Sequence, residues 1–458
     1  MIPANTSRRA FLQRTGALSV AGAATPWALN LAALGEAAAA TASDYKALVC
    51  VFLYGGNDYA NTLVPYDSAN YTAYQAMRPP LAYAQADLAA TLLTPSVALP
   101  GGRQYALAPE LAPLLPLFGA NRLAVMLNVG TLVQPTLKSE YSNGSVPLPP
   151  KLFSHNDQQS VWQSSAPEGA TSGWGGRMGD LFAAGNGNAT FTCVNVSGNA
   201  VFLSGKTAVQ YQVGSGGPVA LAGVKSALFG SAACSSALNA LVTAARTDVF
   251  ESEYNRVMSR SLAAGSQLST ALAAAPALTT VFPTGNALGD QLNLVARMIS
   301  TAGAIGAKRQ VFFVSIGGFD THSSLNAVHP GLLTTVADAM SAFYSATVEL
   351  GVSGQVTAFT ASDFGRTATG SDGSDHGWGS MHFMLGGAVN GGRFYGSAPA
   401  VANNGPDDVG QGRLLPSTSV DQYAATLGKW FGISDTDLLT VLPNLAHWNA
   451  SQRNLGFV

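Results

Sequence analysis

The sequence predicts an α/β protein, a mainly parallel sheet sandwiched by helices with a small β-rich or irregular insertion. Three observations predict it. Short apolar runs without polar alternation recur at 47–54, 122–130, 310–316 and 355–360, as expected of strands covered on both faces. Segments with helical patterning lie among them, at 109–118, 236–307 and 331–351. Asp58, Asp320 with His322, and Asp363 each fall just after such a run, and ligands of open α/β sheets bind beyond the carboxyl ends of the strands.

The 458-residue chain is 47% apolar and only 10% charged, against about 25% charged in an average protein. It can therefore bury a large core, and disorder is excluded for most of its length. Ser7, Arg8, Arg9, Ala10, Phe11 and Leu12 open a weakly hydrophobic, Ala/Gly-rich stretch that contains Pro26 and ends in four alanines at 37–40. That is the order of a signal peptide, and the paired arginines followed by Phe-Leu fit the twin-arginine route. Residues 1–40 are thus expected to direct export of the folded chain through the twin-arginine translocase to the periplasm or beyond. Without them, 20 basic and 24 acidic residues remain, which offers no basic stripe for nucleic acid. No stable membrane span is expected, because the Ala-rich stretches at 219–228 and 262–278 are broken by Gly, Ser or Pro. Of the three cysteines, Cys50 lies in a predicted core strand, leaving Cys193 and Cys234 as the pair to bridge in an oxidising compartment. No cysteine spacing suggests a zinc cage.

In chain order, the first strand runs into Gly55-Gly56-Asn57-Asp58. The glycines permit a tight turn, and Asp58 offers a hard oxygen ligand or caps the next helix. The helical segment at 109–118 feeds the strand at 122–130. Ser154 and His155 then open a helix bearing Trp162. Ser154 is either its N-cap, completed by Asp157, or a nucleophile activated by a metal and the positive helix end; His155 is a candidate to face the site. A Gly/Trp turn at 173–176 and the segment 178–184 follow, and 190–235, rich in Val, Thr, Gly and Ser, reads as an irregular or antiparallel cap.

The strand at 310–316 ends in Gly317-Gly318-Phe319-Asp320-Thr321-His322. A carboxylate and an imidazole two residues apart leave this strand end towards roughly one side, which suits zinc or a mixed nitrogen and oxygen site. The strand at 355–360 ends in Ser362-Asp363-Phe364-Gly365-Arg366-Thr367, and beyond a Gly/Ser loop comes Asp375-His376-Gly377-Trp378-Gly379. Asp363 and His376 are ligand candidates, and Arg366 is a candidate clamp for an anionic group. His329, read as a loop residue before Pro330, is assigned a structural or surface role, as are His382 and His447; Trp162, Trp174 and Tyr54 are expected in the core. A helix at 419–431 closes the fold.

The leader, Gly55-Gly56-Asn57-Asp58, Ser154-His155-x-x-x-Gln159, Gly317 to His322, Asp363 to Thr367, and Asp375-His376-Gly377-x-Gly379, in this order, resemble the bacterial domain of unknown function 1501 family from about residue 45 onwards. That family is distantly similar to the alkaline phosphatase and sulfatase superfamily. The resemblance implies an alkaline-phosphatase-like domain over 45–458. It also implies divalent metal ions, zinc being one candidate, held by Asp58, Asp320, His322, Asp363 and His376, with Ser154, His155 and Arg366 in the catalytic group. Phe364 stands where the superfamily places a histidine. The expected function is an exported metal-dependent hydrolase of phosphate or sulfate esters, acting on an anionic small molecule or polymer. The alternative is a non-catalytic periplasmic binding or assembly protein that keeps the hydrolase fold. The glycine-rich turns lack the Gly-x-Gly-x-x-Gly fingerprint of a dinucleotide-dependent oxidoreductase.

Overall fold

The computed structural model describes residues 44–219 and 221–458; the expected twin-arginine leader lies outside the described residues. The strands are β1 (Lys46–Leu53), β2 (Leu63–Pro65), β3 (Tyr105–Leu107), β4 (Leu123–Gly130), β5 (Cys193–Asn195), β6 (Tyr211–Gln212), β7 (Arg309–Ile316), β8 (Val356–Ser362), β9 (Ser380–Gly386), β10 (Phe394–Tyr395) and β11 (Thr418–Ser419). β2 and β3 pair with each other, and the rest form one sheet in the order β10-β4-β9-β8-β1-β7-β5-β6, with β11 beside β4. The centre is parallel, as the sequence predicts: β1 runs parallel to β7 and β8, and β7 to β5. β9 is antiparallel to both β4 and β8.

The first apolar run lacks alternation because both of its faces are covered. Ala47, Val49, Val51 and Leu53 enter one apolar layer together with residues of the helices Ala287–Ser300 and Leu325–Glu349. Leu48, Cys50 and Phe52 enter the opposite layer with residues of the helices His155–Ser164, Trp174–Phe182 and Val420–Phe431. Neighbouring side chains of a strand point to opposite faces, so a central strand between two helical layers must be apolar at every position. Burial of each Val, Leu or Phe here contributes roughly 1.5–3 kcal/mol.

Three expectations are corrected. Part of the segment 190–235, expected to be irregular or antiparallel, joins the main sheet in parallel: β5 and β6 extend it, with Val194 of β5 in register with Phe312 of β7. Cys193 and Cys234 are not bridged. All three cysteines are free, and Cys193 is buried so tightly beneath Gly179 that a Cβ there would come within 2.4 Å of its sulfur. His329 and Pro330 are not in a loop; both lie inside the helix Leu325–Glu349.

His329 is fully buried. Its Nε2–H donates to Asn57 Oδ1 at 2.9 Å, while Nδ1 has no partner. Burial pushes its pKa down to about 4, against the pull of Asp58. A histidine with a depressed folded pKa binds its proton more readily when unfolded, so its contribution is intact above about pH 6.5 and is lost as pH falls towards 4. Up to roughly 3 kcal/mol is at stake. Urea unfolding between neutral pH and pH 4.5 is expected to show this decline, with a shallower slope in His329→Gln; equal slopes would remove His329 as the cause.

Candidate metal centre

β1, β7 and β8 run in register to Leu53, Ile316 and Ser362, so the turns that follow them meet at one edge of the sheet. Gly55 and Gly56 have φ of 116° and 85°. A Cβ on Gly55 would stand 2.3 Å from the Asp320 nitrogen, and one on Gly56 2.6 Å from the Phe364 ring. Conformation and contact therefore both require glycine, which lets the β1 turn nest between the other two.

His155 reaches this edge from the start of its helix. Its Nδ1 lies 2.6 Å from Oδ2 of Asp363, a fully buried carboxylate that also accepts from Gln159 Nε2 at 2.8 Å and from the Gly55 amide at 3.2 Å. His376 turns its Nδ1 to the Phe153 carbonyl, 2.6 Å away. A carbonyl can only accept, so this Nδ1 carries the hydrogen, and Nε2 of the neutral ring presents a lone pair. The Asp363 carboxylate imposes the same tautomer on neutral His155. The two Nε2 atoms face each other at 3.0 Å. Asp320 adds its oxygens, Oδ2 at 3.3 Å from His155 Nε2 and Oδ1 at 3.3 Å from His376 Nε2.

Two lone pairs at that separation repel unless a proton or a metal ion lies between them. A tetrahedral ion with bonds of about 2.0–2.1 Å holds neighbouring donors about 3.3 Å apart, close to the spacings of His155, Asp320 and His376. These residues therefore fit a divalent ion of the zinc type. Three protein ligands would leave one coordination position free, as catalytic rather than structural zinc sites do. A second triad, His322, Asp375 and His376, shares His376 with the first. His322 Nε2 lies 2.8 Å from His376 Nε2 and 3.0 Å from Asp320 Oδ1. Asp320 and His322 are 44% and 49% exposed, so the cluster opens to solvent. Phe364 floors it, with its ring centre 4.8 Å from those of both His155 and His376.

The electrostatics follow from these contacts. The hydrogen bond to Asp363 raises the His155 pKa against the effect of burial, and burial lowers that of His376. Burial alone would raise Asp320, but the Arg366 guanidinium keeps it below the usual carboxylate value. Phe153 presents its carbonyl from the left-handed region, with φ of 72°, a conformation that costs a non-glycine residue roughly 1–3 kcal/mol. The Arg413 guanidinium, 5.0 Å over its ring, and the bond to His376 help to hold it there.

Of the residues expected at the site, His155, Asp320, His322 and His376 converge, and the others take different positions. Asp58 is sequestered: both oxygens accept from Arg78 at 2.8 Å, and Ser374 Oγ and the Asn61 amide donate to it at 2.7 and 2.9 Å. Burial would raise its pKa, but the Arg78 guanidinium holds it down at about 2. Asp363 stands behind His155 with its oxygens already engaged. Arg366 is no clamp facing solvent. Fully buried, it donates to Asp320 Oδ1 at 2.7 Å, to the Gly55 carbonyl at 3.0 Å and to the Ser374 carbonyl, and so orients Asp320. The Ser154 hydroxyl donates to Asp157 Oδ2 at 3.0 Å.

Gln159, Asp375, Arg78 and the Phe153 carbonyl were missed as functional partners. Gln159 and Asp375 stood inside the quoted motifs and were open to notice. No local pattern ties Arg78 to Asp58 or marks the Phe153 backbone. Asp363→Asn is expected to weaken metal binding about 10–100-fold by loosening the tautomer and orientation of His155. Competition with a chelator measures this, and unchanged affinity would remove Asp363 from that role.

Residues 45–442 match the profile of the family described as "Protein of unknown function (DUF1501)". Among curated proteins, none matches the chain. Similar solved structures include Ps i-CgsB in complex with k-i-k-neocarrahexaose, at 9% identity and a TM-score of 0.37, covering 90% of this chain and 77% of that one. A protein of glycosaminoglycan metabolism by Bacteroides thetaiotaomicron matches at 10% identity and 0.33, covering 86% and 74%. The PsFucS1 sulfatase from Pseudoalteromonas sp. matches at 9% identity and 0.32, covering 93% and 74%.

Proposed function

The chain belongs to the DUF1501 family, proteins of unknown function, and from that premise we propose that it is an exported hydrolase of phosphate or sulfate esters that works with a divalent metal held by His155, Asp320 and His376. One observation carries the metal-dependent part. Two imidazoles spend Nδ1 on fixed acceptors and turn Nε2 towards one solvent-open point, on which Asp320 also bears. When bound there, a divalent ion supplies charge neutralisation for an anionic ester and acidifies a water ligand. The ester class and export rest on the ordered motifs and on the arginine pair at residues 8 and 9.

The chain's own residues have separate tasks on this reading. Asp363 and Gln159 keep His155 in its tautomer, and Arg366 fixes Asp320. Half-exposed His322 borders the open side, within reach of a proton moving to or from a leaving oxygen. Among the described residues, no Ser, Thr or Cys side chain hydrogen-bonds to the atoms of His155, Asp320, His322 or His376 that face the cluster. This favours water over Ser154 as the nucleophile. Because Asp58 and Asp363 are committed elsewhere, about one ion per chain is expected.

Elemental analysis of the exported protein, followed by assays on aryl phosphate and aryl sulfate, tests the proposal. Turnover should disappear on chelation and return with the metal. A chain that holds no divalent ion after resupply overturns the metal reading. One that holds an ion but turns over neither ester class supports the second reading, a periplasmic binding or assembly protein. That reading is favoured by one feature: Arg366 and Ser154, the groups expected to meet substrate, are both engaged within the protein.

A further inference from the structure

Large apolar side chains left in solvent concentrate on one helical hairpin. On the helix Val249–Ala274, Val249, Phe250, Tyr254 and Val257 are 77%, 86%, 59% and 39% exposed, and Leu241 on the neighbouring helix Ala232–Thr243 is 58% exposed. Such a concentration marks an interaction surface. The C-terminal half of the longer helix is anchored by buried Ala264, Leu268, Ala271 and Leu272, whereas in its first two turns only Asn255 is buried.

The stripe has a register. Phe250, Tyr254, Val257 and Ser261 are spaced four, three and four apart, which places them within an arc of roughly 60° at 3.6 residues per turn. This is the spacing of a coiled-coil seam. Glu253 and Arg260, seven residues apart, flank the seam on the same side. Opposite charges at equivalent heptad positions are self-complementary across an antiparallel two-fold axis. The register that sets Tyr254 against the partner's Val257, and Phe250 against the partner's Ser261, also brings Glu253 to the partner's Arg260, and the reverse. Among the described residues Glu253 pairs with Arg256 of its own helix, through two bonds of 2.7 and 2.8 Å in a solvent-exposed contact that leaves the carboxylate accessible to a partner's guanidinium. An anionic lipid surface fits less well, because Asp248, Glu251 and Glu253 crowd the same end of the helix.

We propose that this face is a homodimer interface, in which two copies of the helix Val249–Ala274 pack antiparallel around a two-fold axis. The proposal is independent of the metal centre. Light scattering of the full-length exported protein should give a dimer, and Phe250→Asp with Tyr254→Asp should give a monomer with unchanged circular dichroism. Glu253→Arg and Arg260→Glu should each weaken dimerisation about tenfold, and combining the two should restore it. A monomeric wild type overturns the proposal, including one that binds phosphatidylglycerol vesicles instead. A dimer indifferent to the aspartates, or a charge swap that fails to restore association, also overturns it.

Discussion

On the proposed function, the His376→Ala protein is expected to leave purification without the divalent ion expected of the wild type, and without the ester hydrolysis proposed to depend on it. His376 is the donor common to both triads, so its removal leaves each with two ligands. The loss should exceed the roughly 10–100-fold predicted for Asp363→Asn, which disturbs a ligand from behind without deleting it. Elemental analysis and chelator competition measure the effect, with circular dichroism to establish that the fold survives. Full retention of the ion would place the metal elsewhere.

Arg78→Met is expected to destabilise the fold by about 3–5 kcal/mol, because it strands the Asp58 carboxylate without its counter-charge. Arg78 and Asp58 are both wholly buried, so water cannot replace the guanidinium. Adding Asp58→Asn should recover much of the loss, since a matched neutral pair is far less costly to bury than a lone charge. Denaturant unfolding of both variants measures this. The folded pKa of Asp58 is about 2, below the ordinary value near 3.9. Its share of stability in the wild type is therefore present above about pH 4 and is lost as pH falls towards 2. The same variant separates the two roles considered for Asp58: release of a true metal ligand would tighten metal binding, whereas a purely structural carboxylate would leave metal affinity unchanged while the protein stays folded.

The parts of the fold legible in the sequence were those with a strong local signature. β1, β4, β7 and β8 are long apolar runs, and each was recognised within a residue or two of its observed ends. β9 (Ser380–Gly386) is not among the strands expected from the sequence, where His382 is assigned a structural or surface role only. Its antiparallel direction was also unreadable, since a strand covered on both faces has the same composition either way. The helix around His329 begins six residues before the expected start: Pro330 reads as a breaker, yet here it is the sixth residue of the helix and removes one intrahelical hydrogen bond without ending it.

At the site, position after a strand in a glycine-rich turn was enough to nominate Asp320 and His322, the glycine-flanked Asp375-His376 pair nominated His376, and a place at a helix start nominated His155. The strand-end signature also nominated Asp58 and Asp363, and here composition is silent: three strand-end aspartates look alike in one dimension. Their fates were decided by what arrives from elsewhere in the chain. Arg78 closes on Asp58 from twenty residues downstream, and His155 meets Asp363 across 208 residues of sequence. The sequence by itself determined which strands form the sheet's centre and which turns gather at its edge, because burial on both faces dictates local composition. Only the tertiary structure decided which carboxylate faces the cluster, which orients a histidine and which neutralises an arginine, because charge pairing depends on distance in space and leaves no periodic trace in the chain.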